Sequence, residues 1–191
     1  MLFDLPLLPG LRFRDELIGR EEESALIAQV ERTGLSPFRF QGWTGKRQTK
    51  TFGWRYDFDD RSFEPVEPLP EWLVGLRAQA SGFAEIPPDE FVHALVTRYD
   101  PGAPIGWHRD RPQCGTVVGV SLGSEAVLRL RKREGSGFRR FSLTLPPRSA
   151  YVLAGEVRSE WEHSIAPAEH LRFSITFRTL SDKGRAAARR V

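Results

Sequence analysis

One cysteine among 191 residues, Cys114, has no partner for an intramolecular disulfide, so burial and hydrogen bonding must hold the fold. Long apolar runs are missing as well. No stretch approaches the roughly 18 uninterrupted apolar residues that span a bilayer, and the opening MLFDLPLLPG lacks the positive start and long apolar segment of a secretory signal. A reducing, cytoplasmic setting without a membrane partner is therefore expected. Excess charge is scarce: 28 Lys+Arg stand against 25 Asp+Glu, a net charge of +3, so a basic surface can arise only by clustering. Histidine is limited to His93, His108, His163 and His170. What is present, 40% hydrophobic and 28% charged residues, is ordinary globular composition, which excludes disorder, collagen and coiled coil as descriptions of the whole chain.

The first ninety residues differ in texture from the rest. Residues 20–33 set Ala25, Leu26, Ala28 and Val30 among Glu21, Glu22, Glu23 and Gln29, a helical pattern closed by Gly34. A second helix is expected over 70–81, where Trp72, Leu73, Leu76 and Ala80 recur and Pro70 suits a first turn. Between them, residues 38–58 alternate aromatic and basic side chains, as a hairpin or ordered surface loop would. From residue 90 on, short β-prone segments follow at 94–99, 116–122, 126–132, 140–145, 150–153, 162–165 and 172–179. Many short strands without intervening helices favour a closed or sandwiched β architecture, of which the jelly roll is one. The tail 181–191 is basic and expected to fray.

The segment RYDPGAPIGWHRD sets His108 and Asp110 two residues apart, a spacing that in a strand turns both side chains to one face. With His163 they would form a two-histidine, one-carboxylate set, the ligand pattern of non-haem Fe(II) oxygenases. Alone the tripeptide is weak, since a surface histidine beside a loop carboxylate looks the same. Its context adds weight. Residues 172–178 read RFSITFR, so Arg172, Ser174, Thr176 and Arg178 share one strand face and Phe173, Ile175 and Phe177 the other. Two arginines on one face could show merely a solvated strand; beside a metal site they supply planar donors for a dianion.

Through RYDPG, WHRD, VSLGSEAVLRLR, LPPRSAYVLAGEVRSEWEHSI and RFSITFR, in that order, the chain resembles the AlkB-like Fe(II)/2-oxoglutarate dioxygenases. The resemblance covers residues 98–178. It implies a double-stranded β-helix (jelly roll), mainly β with flanking helices. It implies Fe(II) held by His108, Asp110 and His163, with 2-oxoglutarate as cosubstrate and O2 as oxidant. Arg172 would grip the distal carboxylate of 2-oxoglutarate, Arg178 would sit near its other end, and Tyr99 and Ser174 would hydrogen-bond to it. One domain is expected over 1–180, with helices and a substrate lid in 1–90 and the jelly-roll core in 91–180, acting as a monomer.

The family oxidises alkylated or modified bases, which makes a nucleic acid, single-stranded or tRNA-like, the expected partner. Pro112 stands two residues beyond Asp110, where the DNA-repair members tend to carry an acid that reads the damaged base, and the stretch from VSLGSEAVLRLR onward looks most like the tRNA-modifying animal members. Residues 41–55, QGWTGKRQTKTFGWR, hold Lys46, Arg47, Lys50 and Arg55 without an acid, interleaved with Trp43, Phe52 and Trp54, and Tyr56 follows. Basic groups track phosphates and rings stack on unpaired bases, so Trp43, Lys46, Arg47, Phe52 and Tyr56 are the candidate substrate contacts. Arg129, Arg131, Lys132, Arg133, Arg139 and Arg140 form a second basic run. Trp107 and Trp161 flank the histidines and would exclude water. Competing readings keep the chemistry on a protein or small molecule, or make the chain a non-catalytic nucleic-acid-binding relative or a zinc hydrolase.

Overall fold

Two antiparallel sheets face one another in a computed structural model, which describes residues 8–40, 43–56 and 62–190, with the side chains of residues 39, 40, 43 and 44 outside the described set. The strands begin with β1 (Leu11–Arg14), β2 (Ser36–Phe40), β3 (Trp43–Phe52), β4 (Trp54–Tyr56) and β5 (Phe63–Pro65). They continue with β6 (Phe91–Tyr99), β7 (Ile105–His108), β8 (Cys114–Leu122) and β9 (Ala126–Glu134). The last four are β10 (Gly137–Leu145), β11 (Ala150–Leu153), β12 (Glu162–Ile165) and β13 (Arg172–Leu180). Helices α1 (Arg20–Arg32), α2 (Val74–Ala84), α3 (Gly155–Ser159) and α4 (Asp182–Ala188) complete the order. The larger sheet runs β1-β11-β8-β13-β6-β3-β2, the smaller β10-β9-β12-β7, and β4 with β5 makes a separate pair. This is the jelly-roll arrangement expected.

Strand alternation decides which face meets what. On β13 the odd residues Phe173, Ile175 and Phe177 are buried with Val118, Val120 and Val96 beneath Leu26 and Val30 of α1 and Leu76 and Phe83 of α2. Each such side chain contributes about 1.5–3 kcal/mol by leaving water. The even residues face the smaller sheet. A second apolar cluster, including Leu128, Leu130, Leu145, Leu153 and Trp161, packs between the two sheets. The sandwich is thus fixed from both sides of the larger sheet.

The structure departs from the sequence expectation in four places. The lid expected within residues 41–55 does not stand apart throughout its described part, because β3 pairs along β6 and extends the larger sheet. Phe52, expected to touch substrate, is instead 2% exposed in the helix-side core, edge-on to Trp72 with ring centroids 6.4 Å apart. The tail does not fray over its whole length. Ser181 caps α4, its Oγ accepting from the Gly184 N–H at 3.1 Å, and Gly184 lies so close to the Gln113 carbonyl that a Cβ would come within 2.2 Å. Finally, β1 and β7 are strands that composition alone did not single out. No helix among the described residues is long and apolar enough to cross a membrane.

Candidate active site

His108 closes β7 directly opposite His163 of β12, and the two rings lie with centroids 4.3 Å apart. Cross-strand pairing, which joins residues far apart in sequence, produces this contact. Asp110 converges differently from the expectation: β7 ends at His108, so strand period does not aim the carboxylate, and the following loop does. Its Oδ1 stands 3.7 Å from Nε2 of each histidine, and one ligand atom from each of the three residues lies within 4.8 Å of the others. Nδ1 of His108 donates to the Gly106 carbonyl at 2.9 Å, which leaves Nε2 as the coordinating nitrogen. Oxygen and imidazole donors on one side suit Fe(II).

Arg178 completes this corner. Its Nε donates to Asp110 Oδ2 at 2.8 Å. Burial opposes ionisation of Asp110, but the Arg178 charge and its hydrogen bond outweigh it and hold the carboxyl well below the usual range. Burial and the nearby His108 push His163 down to about 3, so at neutral pH it is the uncharged imidazole a metal requires. The loop beyond Asp110 is held at successive carbonyls. Arg158 donates to Arg111 and Cys114 at 2.7 Å each and to Gly115 at 3.0 Å, while Ser181 holds Pro112 through Oγ at 2.5 Å and Gln113 through its N–H at 2.9 Å. Five consecutive carbonyls after the acidic ligand are therefore anchored.

Beside the triad, Arg172, Tyr99 and Arg47 are aligned across three adjacent strands, each the register partner of the next. Tyr99 hydroxyl lies 3.2 Å from Ser174 Oγ, and the Arg172 guanidinium sits over the Tyr99 ring at 4.7 Å. Arg172 is 2% exposed, yet its Nε and Nη1 have no hydrogen-bond partner, and neither do Nε of Arg47 and Nη1 of Arg178. Buried, unsatisfied guanidinium donors are costly. They fit a carboxylate-bearing cosubstrate at this row. Burial raises the Tyr99 phenol, but Arg172 and Arg47 bring it below its ordinary value, a second sign that the row favours negative charge.

Two chamber residues escaped the sequence reading. Tyr151 is the register partner of Gly119, where a Cβ would come within 2.3 Å of its ring, so glycine makes room for it. Burial pushes its hydroxyl up to about 12, and its electrostatic neighbours are Tyr99, Arg172, Arg178 and Asp110. His93 is the partner of Arg178 and is held down to about 3 by burial and that guanidinium. Both were legible as the inward half of a strand's alternation, had the partner strands been known. Cys114 is half-buried, and burial raises its thiol, as befits packing.

The expected substrate segment is divided. Arg47 points to the chamber row, while Lys46 is exposed and Lys50 is ion-paired with Glu67 at 2.8 Å. Arg55 is likewise paired, with Glu64 at 2.5 Å. Alternation along β3 thus breaks the basic run into separate environments. Tyr56 is half-buried with the Arg111 guanidinium 4.6 Å over its ring, close to the loop after Asp110. The Trp43 side chain lies outside the described residues. Trp161 is buried as expected, but Trp107 faces away from His108 and packs beneath Arg131 at 4.4 Å and Arg129 at 5.3 Å, so it does not shield the metal site.

Residues 26–178 match the family model described as 2OG-Fe(II) oxygenase superfamily. The chain is 30% identical over 172 residues to the mouse (Mus musculus) tRNA (carboxymethyluridine(34)-5-O)-methyltransferase ALKBH8, covering 84% of this chain and 25% of that protein. It spans, then, about a quarter of that relative. It is also 30% identical over 158 residues to the alpha-ketoglutarate-dependent dioxygenase AlkB of Salmonella typhimurium, covering 74% of this chain and 68% of that protein. Among solved structures, OsALKBH1 superposes with a TM-score of 0.70 at 17% identity over 91% of this chain and 98% of the other. A Pseudomonas putida prolyl-4-hydroxylase does so at 0.63 and 16% identity, over 90% and 93%. These two likenesses concern the fold.

Proposed function

The chain belongs to the 2OG-Fe(II) oxygenase superfamily as an AlkB-like dioxygenase using Fe(II), 2-oxoglutarate and O2, and from that premise we propose that it oxidises a C–H bond on a modified base of a nucleic acid. In this reading His108, Asp110 and His163 hold the iron, and Arg172 with Tyr99 and Ser174 holds the distal carboxylate of 2-oxoglutarate. When bound, the iron and cosubstrate supply the oxidation: 2-oxoglutarate leaves as succinate and carbon dioxide, and O2 gives one oxygen atom to each product, succinate and the hydroxylated substrate. An oxidised N-methyl group would then be lost as formaldehyde.

The chain's own residues bind, orient and exclude water. Arg178 fixes the carboxylate of Asp110, Gly106 fixes the tautomer of His108, and the anchored loop keeps Asp110 in reach. Arg47 adds a third guanidinium, suited to an anionic part of cosubstrate or substrate. The observation that carries the reading is the meeting of the histidine–aspartate triad with buried, unpartnered Arg172 donors in one chamber. A hydrolase would have no use for that second anion site. The nucleic-acid substrate is supported by the ALKBH8 relative, named for its action on tRNA; the methyl transfer in that name is not carried over, since this chain spans a quarter of it. Pro112 has no side-chain acceptor, which supports broad rather than stringent discrimination among bases.

The test is an anaerobic Fe(II) and 2-oxoglutarate titration followed by succinate release with methylated single-stranded RNA and DNA. Stimulated succinate and formaldehyde formation, lost in H108A, D110A and H163A, is the expected result. Stimulation by a peptide or metabolite and by no oligonucleotide would move the substrate elsewhere while leaving the iron chemistry intact.

A further inference from the structure

The second basic run of the sequence is sorted by the sheet. Along β9, Leu128 and Leu130 point inward with 0% exposure, so Arg129, Arg131 and Arg133 point out, and Arg140 of β10 lies on the same outer face as the register partner of Arg131. Lys132 and Arg139 fall on the other side. There Lys132 is paired with Glu156 at 3.1 Å and Glu160 at 2.6 Å, and Arg139 packs over Trp161 at 5.6 Å. The outer face is neutralised at one arginine alone among the described strand residues. Its carboxylate among the described strand residues is Glu162, bound to Arg131 at 2.6 Å, set against four arginines.

Two features of this face have no rationale in folding. Arg131 and Arg140 are direct cross-strand partners, and like charges so placed destabilise a sheet. Arg133 and Arg140 are exposed and make no ion pair among the described residues. They are organised by aromatic surfaces: Phe138 has Arg131 at 4.5 Å, Arg140 at 5.6 Å and Arg133 at 5.8 Å from its ring centroid. Trp107 continues the row at the edge strand β7. Guanidinium groups held on rings at every second strand residue, about 6.6 Å apart, present a ladder of phosphate donors whose mutual repulsion a polyanion would relieve.

We propose that the outer face of the four-stranded sheet docks the phosphodiester backbone of a single-stranded polynucleotide, which passes over the β7 edge at Trp107 to deliver its target base to the chamber on the inner face beside His108. The inference rests on the nucleic-acid reading above and deepens it, assigning affinity to the outer face and chemistry to the inner one. Backbone contacts carry no sequence information. RNA and DNA of the same sequence therefore dock with similar affinity.

The test measures binding of fluorescein-labelled single-stranded RNA and DNA to the full chain by anisotropy over a salt series, comparing wild type, an Arg133→Ala/Arg140→Ala double variant and an Arg20→Ala/Lys183→Ala control. Loss of two phosphate contacts should flatten the slope of log K against log salt by about 1.4 units for both single-stranded polymers, with the control unaffected. Co(II) and 2-oxoglutarate affinity, read on the same double variant, should not move. Wild-type affinity and slope in the double variant would overturn the docking surface, while oligonucleotide binding by that same protein would leave the proposed function standing. If wild type binds neither polymer at low salt but binds an acidic peptide through these arginines, both readings fall and the face belongs to a protein partner.

Discussion

Arg178 Nε donates to Oδ2 of Asp110 at 2.8 Å, which leaves Oδ1 as the oxygen facing Nε2 of both His108 and His163 at 3.7 Å. One strand residue therefore decides which oxygen of a loop carboxylate meets a metal. Removing such a hydrogen-bonded support of a ligand typically costs 10–100-fold in metal affinity. Arg178→Ala should show a loss of that order in Co(II) titration monitored by absorbance. Arg178→Lys, which keeps charge but not the planar geometry, should recover only part of it. Wild-type Co(II) affinity in the alanine variant would remove Arg178 from the positioning of Asp110.

Arg158 acts at one remove, by holding the carbonyls of Arg111, Cys114 and Gly115. Arg158→Ala should loosen the loop after Asp110 and weaken Co(II) binding, while 2-oxoglutarate binding, which uses the strand residues, changes little. Equal losses for both ligands would indicate general unfolding instead.

Arg172 and Tyr151 should separate by magnitude. A charged hydrogen bond is worth about 1.5–3 kcal/mol and a neutral one about 0.5–1.5 kcal/mol. Arg172→Ala should therefore weaken 2-oxoglutarate by about 10- to 150-fold and Tyr151→Phe by about 2- to 10-fold, measured calorimetrically with Mn(II) present. A Tyr151→Phe variant with unchanged affinity would make that residue packing alone.

The metal-free protein should be acid-sensitive above the carboxylate range. His93 and His163 stay neutral in the folded chain down to about pH 3 because burial disfavours their charged forms, whereas an unfolded histidine takes up a proton near pH 6.5. The unfolded state thus binds more protons between about pH 6.5 and 3. Stability is present above pH 6.5 and falls as pH drops through that window, by up to about 1.4 kcal/mol per pH unit for each histidine. Urea melts from pH 7.5 to pH 5 check this, and His93→Gln should reduce the slope by about half. A slope unaltered in that variant would count against a depressed His93.

Phe52 separates a lid from a core. Phe52→Ala should cost about 3–5 kcal/mol of stability, the usual price of emptying a buried aromatic site, which a thermal or urea melt detects. A near-neutral change would return Phe52 to the substrate side.

By itself the sequence determined the strand rhythm from residue 90 onward, the split of residues 172–178 into an arginine face and a phenylalanine face, and the triad His108, Asp110 and His163, because alternation and motif spacing are local properties of the chain. It could not determine which faces meet. That Arg47 joins Tyr99 and Arg172, that Tyr151 lies over Gly119, and that His108 stands opposite His163 follow from register between strands distant in sequence. The basic run of β3 and β4 read as one surface on paper, but alternation along β3 turns Arg47 away from Lys46 and Lys50, and carboxylates from β5 and the following loop neutralise Arg55 and Lys50. In the same way only tertiary structure divided Arg129, Arg131, Arg133 and Arg140 from Lys132 and Arg139. A charge is a property of a residue; whether it is paired, buried or free to bind depends on neighbours that the chain brings together only by folding.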